Sequence, residues 1–175
     1  LIPFDTIIET ERLILRPFTM DDIDPSFEIN QDPEVTKYTN DGGVKTYQQV
    51  YDAIKNNVLG DYQTHGYGRF AVEHKRDKRF IGFSGLKNME EWNAVDLGYR
   101  FHPDYWGQGL ATESGVASLE FGFQTLGLKE ISGFVLPEHA ASSNVLKKLG
   151  MEYRDDLIED GLEVHRYSIF NPELT

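Results

Sequence analysis

A strand that ends in a turn with two glycines and passes at once into a helix is the feature of this 175-residue chain that most narrows its fold. The strand is "NAVDLGYRF" (93–101), the junction is "HPDYWGQG" (102–109), and the helix runs from about Gly109 to Thr125. Glycine takes left-handed backbone conformations at little steric cost, so Gly107 and Gly109 let the chain turn sharply and leave its N–H groups uncovered. The helix beginning there presents unpaired N–H donors and the positive end of its dipole. Together these make an anion cradle, with phosphate the expected occupant.

The rest of the chain supplies a sheet for that junction to belong to. "IIETERLILRPF" (7–18) reads as one strand, with Leu13 and Leu15 on one face and Ile14 and Arg16 on the other. "TMDDIDPSFEINQD" (19–32) reads as an acidic helix start capped by Thr19. "TYQQVYDAIKNNVLG" (46–60) reads as a helix with Val50, Ile54 and Val58 on one face and Gly60 as its stop. "GRFAVEHK" and "RFIGFSGL" form a hairpin about the charged turn Lys75 to Lys78. In the helix after the junction, Val116, Leu119, Phe123 and Leu126 fall on one face, while Leu110, Ala117 and Phe121 lie elsewhere, the pattern of a buried central helix. The strand "KEISGFVL", the helix "SSNVLKKLG" closed by Gly150, and a last hairpin around Asp160-Gly161 complete the chain. The order β-α-α-β-β-β-α-β-α-β-β is that of an α+β protein, read as a single domain over residues 1–175.

Composition removes several classes of function. The formal net charge is −12, so long-range repulsion opposes nucleic-acid phosphates, and cationic partners are favoured. The chain has no Cys, which rules out disulfides and thiolate zinc sites. The five histidines (65, 74, 102, 139 and 165) show no H-E-x-x-H spacing, so no metal is expected. No run approaches the ~18 apolar residues of a membrane span. The opening "LIPFDTIIETERLILRPF" carries acids where a signal peptide needs basic residues. The expectation is a cytoplasmic protein, monomer or homodimer, with neither nucleic-acid nor membrane partner.

Three phosphate motifs compete for the junction. A P-loop needs Lys and Ser/Thr after its second glycine, and the chain has no such run. A dinucleotide fingerprint needs Gly or Ala in its last place, where Thr112 stands. The third is the pyrophosphate loop of the GCN5-related N-acetyltransferases (GNAT), [RQ]-x-x-G-x-[GA]. Trp106 to Ala111 matches it at Gly109 and Ala111 and departs at the first position, Trp106. "YWGQGLATE" (105–113) resembles the branch of that family, RimJ/RimL-like, that acetylates the N-termini of ribosomal proteins. "ETERLILRPFTMDD", "FIGFSGL" and "LPEHAASSNVLKKLGM" (136–151) are similar to further family segments in the same order. In the last, His139 stands where the family usually has Asn. The resemblance spans about Thr10 to Phe170 and implies a mixed, mostly antiparallel sheet with one splayed parallel strand pair, flanked by helices.

The resemblance also implies a chemistry: acetyl transfer from acetyl-CoA, without a metal, to a primary amine. Backbone N–H groups of Trp106, Gly107, Gln108, Gly109, Leu110 and Ala111, with the Thr112 hydroxyl, would hold the pyrophosphate; a tight structural turn is the plain alternative. Strand backbone near Tyr99 to His102, Phe101 above all, would take the acetyl-pantetheine arm, with His139 replacing the Asn contact. Asp96 and Glu73 are the candidate bases, each equally readable as a solvated strand carboxylate. An α-amine with a pKa near ~8 is already partly neutral and does not require a base. His74, His102 and His139 titrate in a useful range. The tyrosine acid of many relatives is replaced by Leu146, which leaves Ser142 as candidate donor to the departing thiolate, or as a helix cap.

The segments that wall the acceptor site in this family are acidic here: Asp21, Asp22, Asp24, Glu28, Asp32 and Glu34 in the first, Asp155, Asp156, Glu159, Asp160 and Glu163 in the last. The expected acceptor is therefore cationic: the N-terminus of a basic protein, or a polyamine or aminoglycoside-like amine. A non-catalytic acyl-CoA sensor is the rival of another class.

Overall fold

The structure, a computed structural model, describes residues 4–39, 43–159 and 161–174. Its core is an eight-stranded sheet. The strands are β1 (Ile8–Glu9), β2 (Leu13–Pro17), β3 (Arg69–His74), β4 (Arg79–Met89), β5 (Ala94–Phe101), β6 (Glu130–Val135), β7 (Glu152–Glu159) and β8 (Leu162–Phe170). They lie in the order β1-β2-β3-β4-β5-β6-β8-β7. Every neighbouring pair is antiparallel except β5 and β6, which are parallel and share one aligned pair, Asp96 and Ser132. The expected sheet, with its splayed parallel pair, is the one observed.

The expected first strand is two. Thr10 to Arg12 turn the chain back, with the Thr10 N–H donating to the Leu13 carbonyl, so β1 pairs with β2. Leu13 and Leu15 are fully buried beside Phe70, Ile81 and Leu86. Burying such side chains contributes about 1.5–3 kcal/mol each.

Two helical layers cover the sheet. On one face lie α1 (Ile23–Asn30), α2 (Pro33–Thr36), α3 (Tyr47–Asp52) and α4 (Leu59–His65). Thr19 caps the short turn leading into α1 by accepting from the Asp21 N–H, as expected. Residues 53–58 link α3 to α4 as a π-helical turn, so the helix runs through Gly60. It ends at Gly66, which has the left-handed backbone (φ 77°) of a helix stop; Gly60 does not. Val50 and Ile54 are buried here with Phe18, Ile23 and Ala71.

On the other face lie α5 (Leu110–Glu120), extended by a π-helical turn over Phe121–Thr125, and α6 (Ala140–Lys148). The face of α5 that meets the sheet includes Ser114 and Ser118, fully buried, each with its hydroxyl donating to a carbonyl one turn back. Val116 shares a face with Leu119 and Phe123, as expected, but is exposed rather than buried. It lines an open apolar groove with Leu149, Ile169 and Pro172. Helix α6 sits close to β6 at Gly133, where an added Cβ would lie 2.9 Å from a Leu146 methyl. Of the last hairpin's expected turn, Gly161 is left-handed (φ 78°), while Asp160 lies outside the described residues.

Candidate active site

The strand-to-helix junction is built as its glycines require. Gly107 and Gly109 have φ of 73° and 80°, and a Cβ at Gly107 would project into open space. Gly109 is the N-cap of α5 and brings no side chain to close the first turn. Leu110 plugs into the core, and the Tyr105 hydroxyl donates to Asp77 at 2.7 Å, so both ends of the loop are anchored. Between them Trp106, Gly107, Gln108 and Gly109 are exposed, and just beyond Leu110 the residues Ala111 and Thr112 are half-buried. The Gln108 amide donates back to the Asp104 carbonyl at 3.2 Å. An exposed, backbone-lined turn ahead of a helix N-terminus suits a pyrophosphate.

Arg12 reinforces the cradle, and the sequence reading gave it no role. Its guanidinium donates to the Gln108 carbonyl (Nη1, 2.8 Å) and to Glu113 Oε1 (Nε, 2.8 Å). Glu113 Oε2 also accepts from the Thr10 hydroxyl (2.6 Å) and the Arg12 N–H (2.9 Å). Burial alone would raise the Glu113 carboxyl, but these donors outweigh it and hold its pKa below the usual carboxylate value. The "ATE" glutamate thus ties the β1–β2 turn to the first turn of α5. Only the proximity of Arg12 to Thr10 in the sequence hinted at this; the partner lies about 100 positions away.

The gap between β5 and β6 forms the second part. The His102 N–H pairs with the Ile81 carbonyl at 2.8 Å, so by antiparallel alternation Arg100 and Gly98 turn their main-chain groups to β4. Tyr99 and Phe101 turn theirs toward β6, which has diverged beyond Asp96 and Ser132. The Trp106 indole N–H donates to the Phe101 carbonyl at 2.9 Å, linking cradle and gap.

Ser142 is buried (9 % exposed) in the first turn of α6, where its Oγ accepts from the Tyr99 hydroxyl at 3.3 Å. Burial raises the Tyr99 phenol pKa, and its bond to Ser142 pulls weakly the other way, so the phenol keeps its proton near neutral pH. Leu146, at the position of the usual tyrosine, is core (1 % exposed). Tyr99 therefore brings a phenol to Ser142 from the strand. The sequence reading used only its backbone.

His139 sits at the N-cap of α6, half-buried, with its pKa lowered by burial against a small opposing effect of Glu138. Its imidazole stacks on Tyr38, with centroids 4.3 Å apart and planes 13° off parallel. His102 Nδ1 accepts from the Asp104 N–H, a cap of the following turn. His74 is buried, accepts from the Asp77 N–H and packs against Tyr105.

Asp96 and Glu73 are not brought together. In the β3–β4 and β4–β5 registers Glu73 aligns with Phe80, and Asp96 with Lys87, which places them roughly 20 Å apart along the sheet. Asp96 accepts from Arg69 (2.7 Å) on the face away from Tyr99, and Glu73 from Arg16 (2.9 Å). Protonating either would forfeit an arginine ion pair.

The acidic walls are largely engaged within the fold. Arg16 grips Asp22 through two bonds, Arg166 grips Asp155, and His165 lies 3.4 Å from Asp156. Among the described residues, Asp156, Glu163 and His165 place three potential metal donors within 4.8 Å of one another, largely exposed on the β7–β8 hairpin. No helix among the described residues is long and apolar enough to cross a membrane.

A parallel strand pair that opens beside a glycine cradle and a serine-bearing helix is the arrangement that the GNAT resemblance implies. The chain belongs to the acetyltransferase (GNAT) domain family, whose sequence pattern matches residues 12–152. It is 29 % identical over 173 residues to an uncharacterized N-acetyltransferase, YoaA, of Bacillus subtilis (strain 168), covering 95 % of this chain and 97 % of that protein. It is 26 % identical over 153 residues to the spermidine N(1)-acetyltransferase of Escherichia coli (strain K12), covering 83 % and 76 %. Among solved structures, a GNAT-family acetyltransferase from Bacillus anthracis superposes with a TM-score of 0.81 at 24 % identity, covering 95 % and 99 %. The ribosomal-protein-S5-alanine acetyltransferase from Vibrio fischeri superposes with a TM-score of 0.79 at 19 % identity, covering 98 % and 100 %.

Proposed function

We propose that this acetyltransferase moves the acetyl group of acetyl-CoA directly to a primary amine, first of all the N-terminal α-amine of a basic protein. The observation that carries the reading is the opening of β5 from β6 beside the Gly107–Ala111 cradle, with Tyr99 and Ser142 at its edge. Acetyl-CoA, when bound, supplies the thioester; the chain holds, orients and supplies protons.

The N–H groups of the cradle, supported by Arg12, would hold the pyrophosphate, with Thr112 an additional donor. The main chain of Tyr99 and Phe101 would align the pantetheine arm in the gap. His139 would contact it from α6, offering one hydrogen bond where Asn offers a pair. The Ser142 hydroxyl donates a proton to the departing thiolate and is resupplied by the Tyr99 phenol. An α-amine with a pKa near ~8 reaches the site partly neutral and sheds one further proton to solvent as the amide forms, which balances the proton passed through Tyr99 and Ser142 to the thiolate, so Asp96 and Glu73 are not needed as proton acceptors at neutral pH. Asp96 instead fixes Arg69 where β5 leaves β6, and Glu73 fixes Arg16.

The net charge of −12 supports a cationic acceptor. The 26 % identity to a spermidine acetyltransferase supports a second reading, a polyamine acceptor. Thiol release from acetyl-CoA, followed with a thiol-reactive dye, separates them; a chain without Cys contributes no background. Release that requires a free peptide α-amine supports the first reading, and release with spermidine alone supports the second. Binding of acetyl-CoA with no release for any amine would instead mark a sensor and defeat both.

A further inference from the structure

One aromatic contact joins segments from the two helical layers. Tyr38 follows α2 in a turn pinned by Thr39, whose N–H and hydroxyl both donate to the Thr36 carbonyl. Helix α1, which leads into this segment, is tied to β5 where Asn30 Oδ1 accepts from Arg100 at 2.6 Å. Tyr38 thus comes from the layer on the Arg100 face of the sheet. His139 belongs to the opposite layer, four residues past the last residue of β6. Their rings meet nearly parallel at 4.3 Å, both half-buried. The contact falls at the N-cap of α6, the helix whose Ser142 meets Tyr99 of β5, and so lies beside the gap between the splayed strands.

We infer that Tyr38, stacked on His139, is a specificity-determining residue: the ring pair bounds the space an acceptor amine occupies over the gap and keeps water from it. The inference rests on the proposed acetyl transfer. Two flat rings in van der Waals contact present a fixed wall, and a wall of fixed position discriminates acceptors by bulk next to the amine. Lys37 Nζ lies 5.3 Å from the Tyr38 ring centre, so a cation flanks the same ring on its own segment. The imidazole of His139 is kept toward its neutral form by burial, with Glu138 the opposing charge. A neutral ring stacks on Tyr38 without the desolvation cost of a charged one.

The test compares wild type, Tyr38→Ala and Tyr38→Phe. Acetyl-CoA affinity is measured by calorimetry, kcat/KM with unbranched and α-branched primary amines and with peptides of small or large first residue, and thiol release without any amine. Tyr38→Ala is expected to change the ratio of kcat/KM between bulky and small acceptors by about 10-fold or more. It should also raise amine-independent thiol release, and leave the acetyl-CoA dissociation constant within about twofold. Tyr38→Phe, which keeps the ring, should match wild type in all three. An unchanged acceptor ratio in Tyr38→Ala overturns the inference, as does an acetyl-CoA affinity that falls in step with activity, or a Phe variant that behaves like Ala. A wild type that transfers to no amine defeats the proposed function by itself. In that case amine-independent release still decides the inference, because a Tyr38→Ala value no higher than wild type overturns the wall.

Discussion

At the scale of single residues, the proposed transfer relies on a phenol and a hydroxyl in contact. Because burial raises the Tyr99 phenol pKa, it holds its proton across the range in which amines become nucleophilic. Ser142→Ala should lower kcat by about 100-fold, within the usual worth of a positioned proton donor. Tyr99→Phe should lower it by less, because the serine still carries its own proton to the thiolate and is reprotonated once products leave; both are read from steady-state thiol release at saturating acetyl-CoA. His139 makes a separate prediction for stability. Its folded-state pKa lies below the ordinary 6.5, so the unfolded chain binds its proton more readily. The stabilising contribution is therefore complete above about pH 7 and declines as pH falls through 6.5 toward the folded value, below which both states are protonated and nothing further is lost. Melting temperatures between pH 7.5 and 5 should fall more steeply for wild type than for His139→Asn. Equal slopes would show that burial of the imidazole costs nothing.

At the scale of elements, the cradle depends on a turn distant from it in the chain. Glu113→Gln keeps the shape of the side chain but removes the charge that Thr10 and Arg12 address. Hydrogen bonds to a charged group contribute about 1.5–3 kcal/mol, so in a chain of this length the melting temperature should drop by about 3–12 °C. Acetyl-CoA affinity should weaken by roughly 10-fold in calorimetry, since 1.4 kcal/mol of lost preorganisation is a factor of ten. Arg12→Ala should do the same, and the double variant should add little to either, since both substitutions break one network. This network also marks where the sequence stopped being legible. The strands about Lys75–Lys78, the helix after Gly109 and the short helix closed by Gly150 follow from local periodicity and turn residues. The break between β1 and β2 does not, because Thr10 and Arg12 turn there to meet Glu113. Gly60 read as a helix stop because glycine is costly inside helices, yet the π-helical turn carries the helix past it to Gly66. Tyr38 and His139 sit far apart in the chain, and nothing local announces their stacking.

At the scale of the whole molecule, charge and architecture act separately. Cation attraction by a protein of net charge −12 is screened by salt, with a Debye length of about 10 Å at 0.1 M. KM for a basic peptide acceptor should therefore rise several-fold between 50 and 300 mM NaCl, while that for a neutral-bodied peptide with the same first residues should not. Equal rises would dismiss the steering argument and leave the acids to their internal partners, Arg16, Arg166 and His165. The family and its sheet were readable from ordered motifs. The state of the acids was not, since composition counts charges without showing which are already paired.

The lone pairing of Asp96 with Ser132 has a mechanical consequence. The sheet is in effect two antiparallel ribbons, β1 through β5 and β6-β8-β7, hinged at one point and backed by α5 and α6. A ribbon stitched so sparsely has its cheapest rupture along that line. Native-state hydrogen exchange should resolve two cooperative blocks, one on each side, with Ser132 and Leu97 exchanging alongside the less stable block. A ligand filling the cleft acts as a rivet across it, so acetyl-CoA should merge the two blocks into one.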